Sequence, residues 1–499
     1  MVSLIFSRNL LNYSKLKKYI KKFVIFMQSE SVKKIKNSNE EEKMNTVLQF
    51  YPFKIFKVNN HSYIYATDFG GLFEVDDDTL SILAQEGSLK EDIYKNLHTK
   101  MDRNKIDNIL KQMEDYHFLK TELNDKYMND YQKSDLENSV HSLALFVAQD
   151  CNMRCKYCYG DGGSYADKGT MSYETAKAAI DFLFEQTNDD KDLSVTFFGG
   201  EPLMNFGLIQ KITEYIRVLE KNMNKKCYLN MTSNATLLSE EIISFCEKNR
   251  IAVQISIDGN KRVQNTNRYF VNQKGSYDCV LDKTKKWRDK ECVSCRATVT
   301  ACSLNITDSF YHLDALGFRS IMFAPAENLL SDKEYEELDQ QYLDYLDEFE
   351  RLVKTGDYKR ARKAKLIMGA LPKIEKSGIR SLACGVGRNM YAIDINGDVY
   401  PCQRFVNNKE YCLGNIFERK FKQADFLESI HISAHSQCKN CWVKNLCLGN
   451  CPHDNLISTQ RVNSTSERVC RHQRSFYERL IKIYIGMTDD EKRMLYAKS

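Results

Sequence analysis

At 499 residues the chain has room for two to four domains. Its 72 basic and 67 acidic residues leave a net charge of only +5, which argues against electrostatic binding of nucleic acid as its main business. No apolar run reaches the roughly 18 residues of a membrane span, and the apolar piece at 23–27 is too short for a secretory signal, so a cytoplasmic protein with no membrane association is expected. In that setting the 17 cysteines read as metal ligands rather than as a disulfide framework. Three lie at 151–158, eight from 384 onward, and six are scattered between.

In chain order, residues 1–43 are rich in Lys, Asn and Glu and read as a disordered tail or a misassigned start ahead of Met44. From 44 to 130 the pattern is regular. Short strands are predicted at 53–58, 63–66 and 72–75, with Gly70-Gly71 turning the chain between the last two. Helical patterns follow at 78–85, 89–98 and 102–116. Three strands and three helices in this span make a small winged-helix-like module, which by itself could be structural or bind DNA. It also resembles the RiPP recognition element of peptide-modifying enzymes. That resemblance implies that the leader of a ribosomal precursor peptide adds a strand at the edge formed by Leu72–Val75.

Strand and helix then alternate. Strands are expected at 142–148, 193–198, 227–231, 252–257, 296–300 and 320–323, and helices at 173–186, 206–222 and 240–249. Ser172 and Ser239 stand where N-caps belong. Six such units predict an α/β fold with a partial (β/α)6 barrel over 139–330, whose chemistry gathers at the C-terminal strand ends. The distinctive residues lie at those ends.

The first of them is Cys151-x3-Cys155-x2-Cys158, with Tyr157 before the third thiol. Three close thiols suit a soft metal centre, and three of the four ligands of a four-iron cluster leave one iron open. The stretch resembles the radical SAM signature. The resemblance implies S-adenosyl-L-methionine (SAM) on the open iron and a 5′-deoxyadenosyl radical released by its reductive cleavage. It also implies an electron donor such as flavodoxin or ferredoxin. Gly199-Gly200-Glu201-Pro202 resembles the family's GGEP motif, in which Glu201 would meet the methionyl ammonium and the glycines would let the backbone approach the ligand. By the same resemblance Ser256 and Asp258 would contact the ribose and methionyl part, Arg296 the carboxylate, and Asn234 the ligand. Each could instead be a satisfied polar group at a strand end. Cys292-x2-Cys295, beside or within a strand, reads as structural.

A charged helical linker at 331–380 leads to a cysteine-rich region at 381–485. Residues 391–400 predict a β-hairpin with a two-residue Asn396-Gly397 turn. Around it run Cys384-x12-Gly397-x4-Cys402 and Cys438-x2-Cys441-x5-Cys447-x3-Cys451-x18-Cys470. Spacing alone leaves structural zinc open. The layout resembles the SPASM extension of radical SAM peptide maturases. It implies two auxiliary [4Fe-4S] clusters, three clusters in all: one on Cys438, Cys441, Cys447 and Cys470, the other on Cys384, Cys402 and Cys451. Cys412 is the nearest spare thiol for a fourth ligand to the latter.

Together these features resemble the thioether-forming, SCIFF-type subgroup acting on cysteine-rich peptides. They imply an anaerobic maturase that joins cysteine sulfur to a carbon of another residue. Carbon–carbon crosslinking and formylglycine formation in a sulfatase share the same motifs. A non-catalytic iron–sulfur or zinc scaffold is the rival of another class. No catalytic base stands out.

Overall fold

The computed structural model describes residues 47–497, apart from 123, 127, 129–139, 166, 188–191, 377 and 407. The expected tail at 1–43 lies outside the described residues. The chain divides into two compact units. One combines the N-terminal residues with 373–381 and 439–446; the other holds the described part of 136–372 with 382–438 and 447–499.

In the first unit β1 (Phe53–Val58), β2 (His61–Ala66) and β3 (Leu72–Val75) form an antiparallel sheet in that order. Asn59 and Asn60 both take positive φ, 49° and 64°, as a tight two-residue turn requires. That turn lets β2 begin at His61, two residues before its sequence pattern suggests. Gly70 and Gly71 turn the chain into β3 with φ of 66° and 97°. Helices α1 (Asp77–Leu83), α2 (Lys90–Leu97) and α3 (Arg103–Asp115) follow, α1 and α3 capped by the Asp76 and Asp102 carboxylates. Ile64 of the sheet packs with Ile82, Ile93, Ile106 and Ile109 of the helices. Alternation along the strands puts Phe56 and Tyr65 on the opposite face, where both meet Trp442 edge-on. Lys444 pairs with Asp68, and Asn445 bonds Gly378 O and Arg380 N. The segment that separates Cys438 from Cys447 in sequence is therefore part of the N-terminal unit's packing.

The second unit is built on six parallel strands in sequential order: β4 (Ser142–Gln149), β5 (Leu193–Gly199), β6 (Cys227–Ser233), β7 (Ile251–Ser256), β8 (Val293–Val299) and β9 (Ile321–Pro325). Right-handed crossovers in this order place the connecting helices on one face. They include α4 (Tyr173–Gln186), α5 (Phe206–Met223), α6 (Glu240–Lys248) and α7 (Ile306–Ala315). Ser172 and Ser239 cap α4 and α6 as expected. In β5 to β8 alternate residues are buried, and the other parity presents partly exposed polar groups: Thr196, Asn230, Thr232, Gln254, Arg296 and Thr298. A strand face meant for a second layer of packing would be apolar; this one is chemically equipped to meet a ligand.

Beyond β4 the sheet continues with β10 (Met390–Ile393), β11 (Asp398–Tyr400) and β12 (Gly414–Asn415). The Asn396-Gly397 expectation needs correction here. Only Gly397 has positive φ, 86°, and the connection spans Asp394 to Gly397. The Asp394 carboxylate accepts from Asn396 N and Asp398 N, which favours a longer turn with a left-handed glycine over the two-residue form. The capped helix α8 (Asp332–Lys354) and the later α9 (Pro452–Thr459) and α10 (Glu467–Gly486) complete the unit. Among the described residues no helix is long and apolar enough to cross a membrane.

Candidate active site

The cysteine triad begins two residues past β4. Residues Met153–Cys155 pair antiparallel with Arg268–Phe270, which anchors the loop to a segment more than 100 positions away in sequence. The Cys151 sulfur accepts from Met153 N at 3.4 Å and Asn234 Nδ2 at 3.7 Å, and the Cys155 sulfur from Arg268 Nη1 at 3.7 Å. Burial pushes the Cys151 thiol up to about 12, and Glu201, Cys155 and Cys158 act in the same direction. Cys155 is likewise raised by burial. Such thiols become thiolates only when a cationic centre joins them.

Tyr157 and Asp258 meet directly, the phenol donating to Asp258 Oδ2 at 2.6 Å. Asp258 Oδ1 accepts from Arg268 Nε at 3.0 Å and Thr298 N at 3.0 Å. Arg268 also lies 5.1 Å from the centre of the Tyr157 ring. Burial opposes the Arg268 charge, but Asp258, Tyr157 and Cys155 overcome it and hold the guanidinium more firmly than usual. Asp258 is thus engaged with three partners of its own chain.

Glu201 is fully buried and ties two strand ends together. Its carboxylate accepts from Ser233 Oγ at 2.8 Å, Leu203 N at 3.2 Å and Asn234 N at 2.7 Å. Burial raises its pKa to about 7 despite those bonds. Asn234 in turn bonds Asn152 Oδ1 at 2.9 Å, so it positions the triad loop. The reason for the two glycines also changes. A side chain at Gly199 would strike Ala148 O, and one at Gly200 would strike Asp150 O and Gly163 O. The GGEP glycines serve a close approach of the backbone to its own β4 end.

Ser256 closes β7 directly opposite Arg296 of β8. Arg296 is the exposed position of its strand, yet burial by surrounding protein lowers its pKa, with Tyr159 opposing and Arg404 and Arg268 reinforcing. It therefore lies in the field of both the triad side and the C-terminal cysteine side.

On that second side Cys402, Cys451 and Cys384 lie within electrostatic range of one another, and burial pushes the Cys402 and Cys451 thiols to about 12. Arg404 Nη1 is 3.5 Å from the Cys451 sulfur and 2.7 Å from Asp454 Oδ2, while Nη2 meets Asp454 Oδ1 at 2.5 Å. The guanidinium is 5.6 Å from the Tyr159 ring centre. Cys447, also pushed to about 12 by burial, feels Cys438 and Cys470. Cys441 falls in the first unit. Cys412 donates to Gly414 O at 3.4 Å and lies among Asp398, Lys409 and Asp394 of the hairpin. Cys295 is buried within β8, with Cys292 just ahead of that strand. Among the described residues no three His, Cys, Asp or Glu side chains converge as a single metal ion would require.

Comparison with known proteins agrees with this arrangement. A 4Fe-4S single cluster domain model matches residues 141–280, and the SPASM iron-sulfur cluster-binding domain matches 384–442. An uncharacterized protein of Methanocaldococcus jannaschii is 31% identical over 56% of this chain and 91% of its own length. A cysteine-type anaerobic sulfatase-maturating enzyme of Clostridium novyi is 25% identical over 70% of this chain and 98% of its own. The chain belongs to the radical SAM/SPASM family. A solved structure, native anSMEcpe with bound AdoMet, shares its fold with a TM-score of 0.59 at 21% identity, covering 70% of this chain and all of that one.

The residues present fit the iron–sulfur clusters that the two matched domain models describe. Buried thiols grouped in threes, with N–H donors aimed at sulfur, form a donor set that needs a soft cation to be ionised. A cluster also spreads its thiolates farther apart than a single ion does. Sequence reading missed Arg268, Tyr159, Arg404 and Asp454. Arg404 lies two residues past Cys402 and Asp454 three past Cys451, which is a faint signal; Arg268 has none.

Proposed function

We propose that the protein is a peptide maturase that forms thioether links in a ribosomally made, cysteine-rich precursor peptide. The observation that carries this reading is the place of β3 at one end of the N-terminal sheet, whose order is β1-β2-β3. An extended leader can add to such an edge through main-chain bonds. In this reading the first unit is the leader-binding module, residues 139–330 generate the radical, and 381–485 hold two auxiliary clusters.

Cys151, Cys155 and Cys158 would hold the SAM-binding cluster, with Arg268 and Asn234 donating to its sulfurs. Arg296 and Ser256 would face the methionyl and ribose parts of SAM, and Tyr157 and Asp258 fix the wall between them. Bound there, SAM supplies a 5′-deoxyadenosyl radical that takes a hydrogen atom from the peptide. Cys384, Cys402 and Cys451 would hold one auxiliary cluster and Cys438, Cys441, Cys447 and Cys470 the other.

A second reading is favoured by the sulfatase-maturating relatives: oxidation of a sulfatase cysteine to formylglycine. Two experiments separate the two. Mass spectrometry distinguishes a thioether, which costs the peptide two hydrogen atoms and keeps its sulfur, from formylglycine, which loses the sulfur. Hydrogen exchange tests the leader site: the amides of Leu72–Val75 should slow on addition of a leader-bearing peptide. Unchanged exchange there at saturating peptide sinks the edge-pairing role.

A further inference from the structure

Directly after the triad the chain makes a strained return. Asp161, Gly162, Gly163 and Tyr165 all take positive φ, of 48°, 70°, 98° and 47°. For a bulky aromatic such as Tyr165 that conformation is rare and costly, and it persists only where the surroundings impose it. Here they do. Tyr165 N donates to Gly160 O at 3.0 Å, and Gln149 Nε2 donates to Tyr165 O at 3.1 Å. Tyr165 is buried, and its ring stands edge-on to Phe146 of β4 with 4.8 Å between centres. It passes so close to Gly160 that a Cβ there would lie 2.4 Å from it.

What this return supports is Tyr159, one residue past Cys158. The two rings meet edge-on at 6.0 Å, and the Tyr165 phenol donates to the Tyr159 oxygen. Arg404 lies 5.6 Å from the Tyr159 ring centre, and the His453 ring 6.2 Å. With these neighbours Tyr159 is still 39% exposed. Surrounding protein nevertheless acts on its phenol, as it does on Arg296, the exposed position of β8. A side chain that is both open to solvent and surrounded by protein lines a cleft. Tyr159 and Arg296 lie in each other's field, and Cys402 is also within electrostatic range of Tyr159. The cleft therefore opens between Arg296 of β8 and the C-terminal cysteines, and a peptide can reach Tyr159 in it.

The donors in this cleft are not equivalent. Arg404 commits its two terminal nitrogens to Asp454 and the Cys451 sulfur, and its Nε is buried. Arg296 is a fork-shaped cation, suited to a carboxylate. The Tyr159 oxygen accepts from Tyr165 through a lone pair, which leaves its own O–H to donate. A phenol has a pKa of about 10 in water and keeps that proton at working pH. The acceptor that every peptide residue offers is its main-chain carbonyl.

We propose that Tyr159 is a substrate-binding residue whose phenol donates a hydrogen bond to a main-chain carbonyl of the peptide and holds the residue to be linked at the triad side of the cleft. The strained return then has a reason: it fixes the direction of the phenol before the peptide arrives. The role is orientation, with no covalent step. It rests on the peptide-maturase reading above.

The test uses full-length, iron-replete wild type, Tyr159→Phe and Tyr165→Phe with a synthetic leader-bearing peptide containing cysteine. In Y159F the linked product formed per 5′-deoxyadenosine released should fall about tenfold, the scale of one hydrogen bond. Y165F keeps the Tyr159 O–H and loses only its support, so the ratio should fall less, about threefold. Infrared spectra of the peptide, ¹³C-labelled at its core carbonyls and bound with SAM in the absence of reductant, supply a readout without turnover. One carbonyl band should move to lower frequency in the wild type and not in Y159F. An unchanged product ratio in Y159F overturns the proposal, and so does the same shifted band in both proteins or a larger loss in Y165F than in Y159F. A wild type that binds the peptide and links nothing would instead sink the maturase reading, and the infrared band would still decide the Tyr159 contact.

Discussion

The two sides of the parallel-sheet unit are built on the same device with one difference. At the triad, Arg268 pairs with Asp258, lies against Tyr157 and donates toward the Cys155 sulfur. At the C-terminal cysteines, Arg404 pairs with Asp454, lies against Tyr159 and donates toward the Cys451 sulfur. An arginine can do all this at once because its planar head offers five donors and an aromatic-stacking face. At the triad every carboxylate oxygen of Asp258 is met, and the pair is almost sealed: the side chains of Arg268 and Asp258 are 10% and 0% exposed. At the other side the pair is more open: the side chains of Arg404 and Asp454 are 30% and 18% exposed. One arrangement is closed to water and suits holding a cofactor still. The other is reached by solvent.

The most severe way to break the comparison is to remove one side. Replacing Cys151, Cys155 and Cys158 with Ala should abolish SAM cleavage and lower iron by about a third, if three four-iron clusters are present. Iron analysis and 5′-deoxyadenosine assay check this; iron falling to nearly zero would mean the C-terminal cysteines hold another metal.

Breaking the two arginine pairs should give unequal losses. Arg268→Met leaves a sealed carboxylate uncompensated and should destabilise by about 3–5 kcal/mol. Arg404→Met breaks a pair whose two side chains, Arg404 and Asp454, are 30% and 18% exposed, and should cost clearly less. SAM cleavage should be lost in the first variant and retained in the second. Denaturant unfolding and 5′-deoxyadenosine release test the pair, and equal destabilisation would refute the contrast.

Glu201 gives a pH signature of the sealed side. Its folded pKa, about 7, lies above that of an unfolded glutamate, so its contribution is fully present below pH 4.5 and is lost as pH rises through 7. The apoprotein should lose stability between about pH 5 and pH 8, by roughly 3 kcal/mol from this group at most. Melting temperatures should show a weaker decline in Glu201→Gln.

The smallest effect is expected at Cys412, whose thiol is turned to Gly414 O and the hairpin. Cys412→Ala should leave iron content unchanged and stability within about 1 kcal/mol. Loss of one cluster in that variant would make Cys412 a ligand and close the auxiliary site.

The alternation of parallel strands and helices in the second unit and the helix caps Ser172 and Ser239 were legible in the amino-acid sequence. These rest on short-range facts: periodicity along one strand and a cap three residues from its donor. The roles of Gly199 and Gly200 were not legible, because their reason is the backbone of another strand. Nor was the membership of 439–446, which reads as cysteine-region sequence but packs through Trp442 on the N-terminal sheet. Arg268 meets Cys155 across 113 positions, and Arg404 meets Asp454 across 50. No local pattern marks such partners. Burial, which raises the Glu201 carboxyl to about 7, exists only once distant segments have closed around it and removed water. Spacing marked the thiols as ligands for a soft metal centre without naming the metal; the tertiary structure decided which charges are sealed from water and which stay open to it.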